Sequence, residues 1–164
     1  MPLITLNPTS NTSPDAGQGG SAVTTPTNTG HAASTASASN GASDLKTCKW
    51  TTFPGPPVPP TALTLKVDWS ESGSTSGAPN QFECDYSLNG GSSWTILFQH
   101  GSVNAPNSGT ATASLSAGQN ISQVQVRDSL SVVSSPGTSA TVTGTISNVR
   151  LEADGPALPV LVVM

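Results

Sequence analysis

The amino-acid sequence predicts an all-β protein, an antiparallel β-sandwich or jelly roll with extended N-terminal and C-terminal arms. In several short segments apolar residues alternate with polar ones, as strands with one buried face require, and no segment carries a helical stripe. Gly, Pro, Asn and Ser separate these segments at the short intervals that are typical of sandwiches and jelly rolls. The expected organisation is a Ser/Thr-rich arm with early irregular strands over 1–43, a β-sandwich domain over 44–155 and an apolar arm over 156–164.

The composition indicates a single domain with an unusually uncharged surface. The chain has 164 residues, of which 9% are charged, and its net charge is −4; soluble domains usually carry about a quarter charged residues. Ser and Thr supply more than a quarter of the chain, so uncharged groups solvate the surface. Five scattered Lys and Arg residues cannot neutralise a phosphate backbone, which argues against nucleic acid as a partner. No apolar run is long enough to span a bilayer, which argues against a membrane partner.

The N-terminal region is dominated by Ser, Thr, Ala, Gly, Asn and Pro. Its one apolar cluster comprises Leu3, Ile4 and Leu6, and it shows no helical period. We expect an extended arm there, with short strands around 22–23 and 32–38.

The first half of the expected sandwich contains two strands and a proline-rich loop. The segment 44–53, if extended, places Cys48 and Trp50 on one face. The stretch 54–60 contains five prolines and cannot supply ladder hydrogen bonds, so it must be a loop. Residues 63–69 then alternate cleanly between apolar and polar side chains, as a half-buried antiparallel strand requires.

A β-hairpin is the clearest local feature of the chain. After a Ser/Gly loop over 71–80, residues 82–88 and 94–98 alternate at period two on either side of the turn sequence Asn89-Gly90-Gly91. Further strands are expected over three segments, which are 110–115, 121–127 and 138–152. In the last of them the apolar positions change parity, which predicts a bulge near Ser147-Asn148.

The segment from Ser87 to Trp94 resembles the Asp-box of sialidase-like β-proteins, whose pattern is Ser-x-Asp-x-Gly-x-Thr-Trp. Here Asn89 replaces the Asp and Ser93 replaces the Thr. The motif occurs once, so it does not indicate a propeller with repeated blades. The resemblance implies a hairpin brace and no catalytic role, and turn chemistry agrees with the brace because Asn89 and Gly91 suit turn conformations.

Cys48 and Cys84, the two cysteines, lie in predicted strands beside aromatic residues. A disulfide and a pair of buried thiols are both compatible with the sequence. We expect no metal site, since His31 and His100 fall in apparent loops and the four residues lack the close ligand spacing of a zinc site.

We expect no catalytic residue and no cofactor. The sequence has no Gly-x-Ser-x-Gly elbow. Glu83 and Asp85 share one face of a strand, and Asp68 could join them across a sheet as a glycosidase-like carboxylate pair or a calcium site. Strand alternation favours the simpler interpretation that these are solvated charges on an outer face.

Three tryptophans, Trp50, Trp69 and Trp94, could form a platform for sugar rings. All three fit the apolar faces of predicted strands. Packing in the core is therefore the favoured interpretation.

Over residues 44–153 the chain resembles, in its general style, the small Ser/Thr/Gly-rich β-sandwich proteins of tailed-phage virions, such as capsid decoration (cement) proteins and fibre components. The resemblance implies a non-enzymatic virion structural protein on the capsid or tail surface, most simply a capsid decoration protein. It also implies the major capsid protein or other virion subunits as partners, and a homo-oligomer such as a trimer. The first residues lack the basic and apolar regions of a secretory signal, so we expect cytoplasmic synthesis and release by lysis.

Under this hypothesis the two apolar ends dock on neighbouring subunits by adding strands to their sheets. The candidate contact residues are Leu3, Ile4, Leu6, Val160, Leu161, Val162 and Val163. Two alternatives remain open from the sequence: a carbohydrate-binding or adhesive module of a tail or head fibre that recognises a surface glycan, and a subunit of an extracellular filament.

Overall fold

The computed structural model describes residues 3–12 and 27–155, and within them the all-β prediction is confirmed. The strands are β1 (Leu3–Leu6), β2 (Ser10–Thr12), β3 (His31–Ser39), β4 (Ser43–Thr51), β5 (Ala62–Ser76), β6 (Asn80–Ser87), β7 (Thr95–Gly101), β8 (Asn107–Leu115), β9 (Gln125–Val133) and β10 (Ser139–Asp154). A 3₁₀ turn covers Ile121–Gln123. The described residues contain no helix with the length and apolar character needed to cross a membrane.

The strands of the described ranges form two antiparallel sheets of five strands each. In sheet A, β10 pairs with β5 along one edge and with both β1 and β3 along the other, and β8 pairs with the far edge of β5. Sheet B has the order β2-β4-β9-β6-β7. Most connections cross from one sheet to the other, so strands that are distant in sequence become neighbours.

The core lies between the two sheets and is built from the alternate apolar positions of the strands. Its largest fully buried side chains include Trp50, Phe82, Leu63, Leu65, Leu130, Ile146 and Leu151. Gly144 lies where the sheets approach closely, since a Cβ atom there would be 2.7 Å from Leu130 Cδ2 and 2.9 Å from Phe82 Cε2. The absence of a side chain at this position is therefore a packing requirement.

Most of the predicted strands are present, but the strand expected over 121–127 is wrong in its first half, where Ile121–Gln123 form the 3₁₀ turn and β9 begins only at Gln125. The 82–88 and 94–98 strands form the β6–β7 hairpin, and the predicted bulge is present as a register shift between Ile146 and Asn148. The expected loop over 71–80 is wrong as far as Ser76, because β5 continues there. Its polar Ser, Gly and Thr residues gain ladder hydrogen bonds from β10, which is long enough to pair with them.

The N-terminal segment is part of the sandwich, in contrast to the expected arm. β1 pairs with β10, Leu6 is buried and Ile4 packs against the core, while Leu3 stays exposed. β3 also pairs with β10. The domain boundary expected after residue 43 therefore falls next to the turn between β3 and β4, inside the sandwich. The expected strand at 22–23 and the apolar segment 156–164 lie outside the described residues.

Candidate functional site

The β6–β7 turn is held by a local hydrogen-bond network at the Asp-box-like segment. Ser87 Oγ accepts hydrogen bonds from the backbone N–H groups of Asn89 (3.3 Å) and Gly91 (2.9 Å) and donates one to Asn89 Oδ1 (2.9 Å). Asn89 Oδ1 also accepts from the Ser93 N–H (2.9 Å), and Asn89 Nδ2 donates to Ser93 Oγ (2.8 Å). Gly91 has a φ of +91°, a conformation that favours glycine. These contacts give the segment a bracing role.

Trp94 lies outside the core, on the outer side of sheet B. The Arg127 guanidinium stands 4.2 Å from the centre of its ring, and Arg127 also forms an ion pair with Asp85 through Nη2 (2.8 Å) and Nε (2.9 Å). The expectation that all three tryptophans pack in the core is therefore correct for Trp50, which is fully buried. It is also correct for Trp69, which is partly buried and packs against the core. It is wrong for Trp94, because that residue precedes β7 and is held on the outer side by Arg127.

A shallow groove of about 540 Å³ opens beside Trp94 on the outer side of sheet B. The residues that line it are Thr12, Leu45, Thr47, Cys48, Lys49, Gly91, Trp94, Arg127 and Ser129. Hydroxyl, ammonium and guanidinium groups next to an indole ring offer both hydrogen bonds and a flat apolar surface. A sugar ring presents hydroxyls and an apolar face, so this groove has the chemistry that a saccharide requires.

The three candidate carboxylates do not converge. Glu83 accepts hydrogen bonds from Gln81 Nε2 (2.7 Å) and from the Gln99 side chain, and Asp85 is a buried partner of Arg127. Asp68 belongs to β5 in the other sheet. The expectation of solvated charges is wrong for Asp85, which is only 4% exposed. Its ion pair with Arg127 compensates the cost of burying the carboxylate.

Cys48 and Cys84 are both buried thiols. Each lies directly opposite Asp128 in the strand register, so β9 runs between them. Two strand spacings separate them by about 10 Å, whereas a disulfide needs Cα atoms within about 7 Å. Burial raises the pKa of the Cys84 thiol well above its usual value, and the negative charges of Asp128, Asp85 and Glu83 raise it further.

A buried polar cluster, which the sequence analysis missed, lies beside Cys48. His31 is the first residue of β3 and not part of a loop. Its Nε2 lies 2.8 Å from Asp128 Oδ2, its Nδ1 lies 2.5 Å from the Ala32 carbonyl oxygen, and its ring stacks on Trp50. Asp128 Oδ1 accepts a hydrogen bond from the Cys48 N–H (3.0 Å). Burial disfavours the charged ring, but the hydrogen bond and charge of Asp128 outweigh it and raise the pKa of His31.

A second buried ion pair lies on the inner face of β4. Lys46 Nζ is 2.8 Å from Asp44 Oδ1, both side chains are almost fully buried, and Asp44 Oδ2 accepts a hydrogen bond from the Ser37 N–H. One sequence signal could have found these residues. Asp44 and Lys46 share the parity of Trp50 along the strand, and a buried tryptophan places that whole face inward.

A comparison with protein-family models finds no match, and a comparison with curated proteins finds none either. The function is therefore inferred from the fold and from the surfaces and clusters described above.

Proposed function

We propose that this protein is a non-enzymatic structural protein of a virus particle, and in particular a capsid decoration (cement) protein of a tailed phage. The observation that carries the proposal is the strand order, β3-β10-β5-β8 in one sheet and β4-β9-β6-β7 in the other. We infer a jelly roll from this order. Double-sheet jelly rolls recur in viral capsid domains and in lectins.

The state of the charged groups supports a role without chemistry. Enzymes keep ionisable groups poised in a cleft with perturbed pKa values. In the described ranges, most acidic groups instead have basic partners, in seven ion pairs: Asp44–Lys46, Asp68–Arg150, Glu71–His100, Asp85–Arg127, Glu152–Lys66, Glu152–Arg150 and His31–Asp128. Such pairs compensate the charges of a scaffold, and this pattern favours a structural role over acid–base chemistry.

We infer that the chain contacts a neighbouring subunit through its apolar segments and exposed apolar side chains. Because β1 is committed to its own sheet, the apolar segment at Val160, Leu161, Val162 and Val163 becomes the main candidate for strand addition. Exposed apolar side chains on the sandwich itself offer further contact area. They are Leu3, Leu45, Val58, Leu88, Ile96 and Val133.

The test is the binding of purified full-length chain to phage particles that lack it. We expect the chain to sediment with such particles, and we expect a variant without residues 157–164 to bind more weakly while its circular dichroism spectrum still shows the folded sandwich. Failure of the full-length chain to sediment with particles would contradict the decoration role. Equal binding by the folded truncated chain would contradict docking through this segment.

A second candidate function, a carbohydrate-binding module of a tail or head fibre, is favoured by the groove beside Trp94. Of the three tryptophans that could form a sugar platform, Trp50 is fully buried and cannot contact a ligand. A glycan array tests the candidate with Trp94→Ala and, as a matched control, Ile96→Ala, whose exposed side chain is not among those lining the groove. Binding that is lost only in Trp94→Ala supports this function. Absence of binding by the wild type, or equal binding by both variants, rejects it.

A further inference from the structure

We propose that His31, Cys48 and Asp128 together bind a divalent transition-metal ion, with Zn²⁺ as the preferred ion, inside the sandwich. One ligand atom from each residue lies within 4.8 Å of the others, and all three residues are buried. Imidazole nitrogen, thiolate sulfur and carboxylate oxygen are the three donor types that proteins use for zinc.

The three donors come from three strands and from both sheets. His31 begins β3 in sheet A, while Cys48 on β4 and Asp128 on β9 face each other in sheet B. A bound ion would therefore tie one sheet to the other. Cys84 lies opposite Asp128 on the other neighbouring strand, but its sulfur is not part of the cluster. Only one of the two thiols that flank Asp128 is therefore a candidate ligand.

Surrounding hydrogen bonds orient the donors as they do around known metal sites. Metal-binding histidines usually donate their second ring N–H to a carbonyl or carboxylate, which fixes the tautomer. In this cluster His31 Nδ1 faces the Ala32 carbonyl oxygen, so Nε2 is the nitrogen directed at Asp128. The Cys48 N–H holds Asp128 Oδ1, which leaves Oδ2 as the oxygen facing the ring.

Charge balance favours a divalent ion in this interior. A neutral imidazole, a thiolate and a carboxylate carry two negative charges, which a divalent cation neutralises, whereas an unpaired buried charge would be costly. On binding, the thiol proton and any second imidazole proton leave to solvent. Nε2 and Oδ2, now 2.8 Å apart, must separate to about 3.3 Å, the spacing set by zinc bonds of about 2.0–2.1 Å in a tetrahedron.

We infer a structural role for the ion, because His31, Cys48 and Asp128 are only 4%, 3% and 2% exposed. Structural zinc sites usually have four protein ligands, so the fourth tetrahedral position here would be taken by a water molecule, as in zinc sites with three protein ligands. The ion would act as a cross-link between the sheets where the two cysteines are too far apart for a disulfide.

Co²⁺ is the probe for the test, since a cobalt–thiolate bond gives a charge-transfer absorption band. Full-length protein is freed of metal with a chelator and titrated with Co²⁺, as wild type, Cys48→Ser and the matched control Cys84→Ser. We expect one Co²⁺ per chain and the thiolate band in wild type and Cys84→Ser, and no band in Cys48→Ser. We also expect Zn²⁺ to raise the Tm of wild type, because it binds the folded chain in preference to the unfolded one.

X-ray absorption spectroscopy of the Zn²⁺-loaded wild type gives a second measurement that does not depend on any variant folding. One sulfur ligand with nitrogen and oxygen ligands supports the site. Two sulfur ligands, no sulfur ligand, or a wild type that binds neither ion would overturn it, and the cluster would then be an ion pair beside a thiol.

Discussion

Asn89 holds the β6–β7 turn with both ends of its side-chain amide. Its Oδ1 accepts from the Ser93 N–H and its Nδ2 donates to Ser93 Oγ. We expect Asn89→Ala to lower the free energy of unfolding by about 1–2 kcal/mol, because three side-chain hydrogen bonds are lost at a tight turn. Asn89→Asp keeps the acceptor and should change it by no more than about 0.5 kcal/mol. Urea unfolding followed by tryptophan fluorescence measures both, and equal losses in the two variants would contradict the bracing role.

The outer side of sheet A carries an ion-pair network that should make stability depend on acid pH. Burial alone would raise the pKa of Asp68, but hydrogen bonds from Thr110 and Arg150 lower it below its usual 3.8. Lys66 and Arg150 likewise lower the pKa of Glu152 below 4.5. A group whose pKa is lower in the folded chain than in the unfolded chain stabilises the protein at pH values above its unfolded pKa. This stabilisation is lost as the pH falls through the pKa of the folded state.

We therefore expect wild type to lose stability as the pH falls below about 4.5, and Arg150→Met to lose less over the same range. The difference should be at most about 1 kcal/mol, because these pairs lie near the surface. Urea unfolding at a series of pH values between 6 and 3 measures it. Parallel pH profiles for the two proteins would show that this network does not contribute.

The hairpin brace could be predicted from sequence because its contacts join residues within one short turn. The cluster of His31, Cys48 and Asp128 could not, since its members are separated by 80 and 97 residues in the pairs that touch. Only the packing of β3 over β4 and β9 brings them together. Neither the residue types nor their spacing along the chain predicts that packing.

At the scale of strands, the close approach of the two sheets depends on Gly144. A Cβ atom there would press on Leu130 and Phe82. We expect Gly144→Ala to destabilise the protein by about 1–3 kcal/mol through overpacking. The matched control is Gly101→Ala, also in a strand, where a Cβ atom would meet nothing within 4 Å. Thermal unfolding of both variants measures the effect, and equal Tm values would contradict it.

Alternation predicted most strands because one face of each is buried in the core. It found the first half of β5, where apolar and polar residues alternate between Leu63 and Trp69. It missed the second half through Ser76, where the residues are small and polar and only pairing with β10 defines the strand. It also treated β1 as part of an arm, because four residues do not show whether they pair with their own sheet or with a neighbour's.

At the scale of the whole molecule, the two proposals assign stability to a metal cross-link between the sheets and attachment to the C-terminal apolar segment. If the metal site ties the sheets together, the removal of metal should lower the Tm without abolishing binding to particles. If residues 157–164 provide the attachment, their deletion should weaken binding without lowering the Tm. Thermal unfolding and particle sedimentation, applied to chelator-treated wild type and to the truncated chain, measure the two effects. A drop in both properties after either change would show that they are not separate.

The central claim is that the protein works as a building part of a virus particle, and quantitative mass spectrometry of purified particles tests it most directly. Under this proposal the chain is encoded by a phage genome, and particles of that phage are banded on a density gradient. The account predicts that the chain co-purifies with the major capsid protein in a fixed ratio that fits the symmetry of the shell. A chain that is abundant in the lysate but missing from the banded particles would contradict the account.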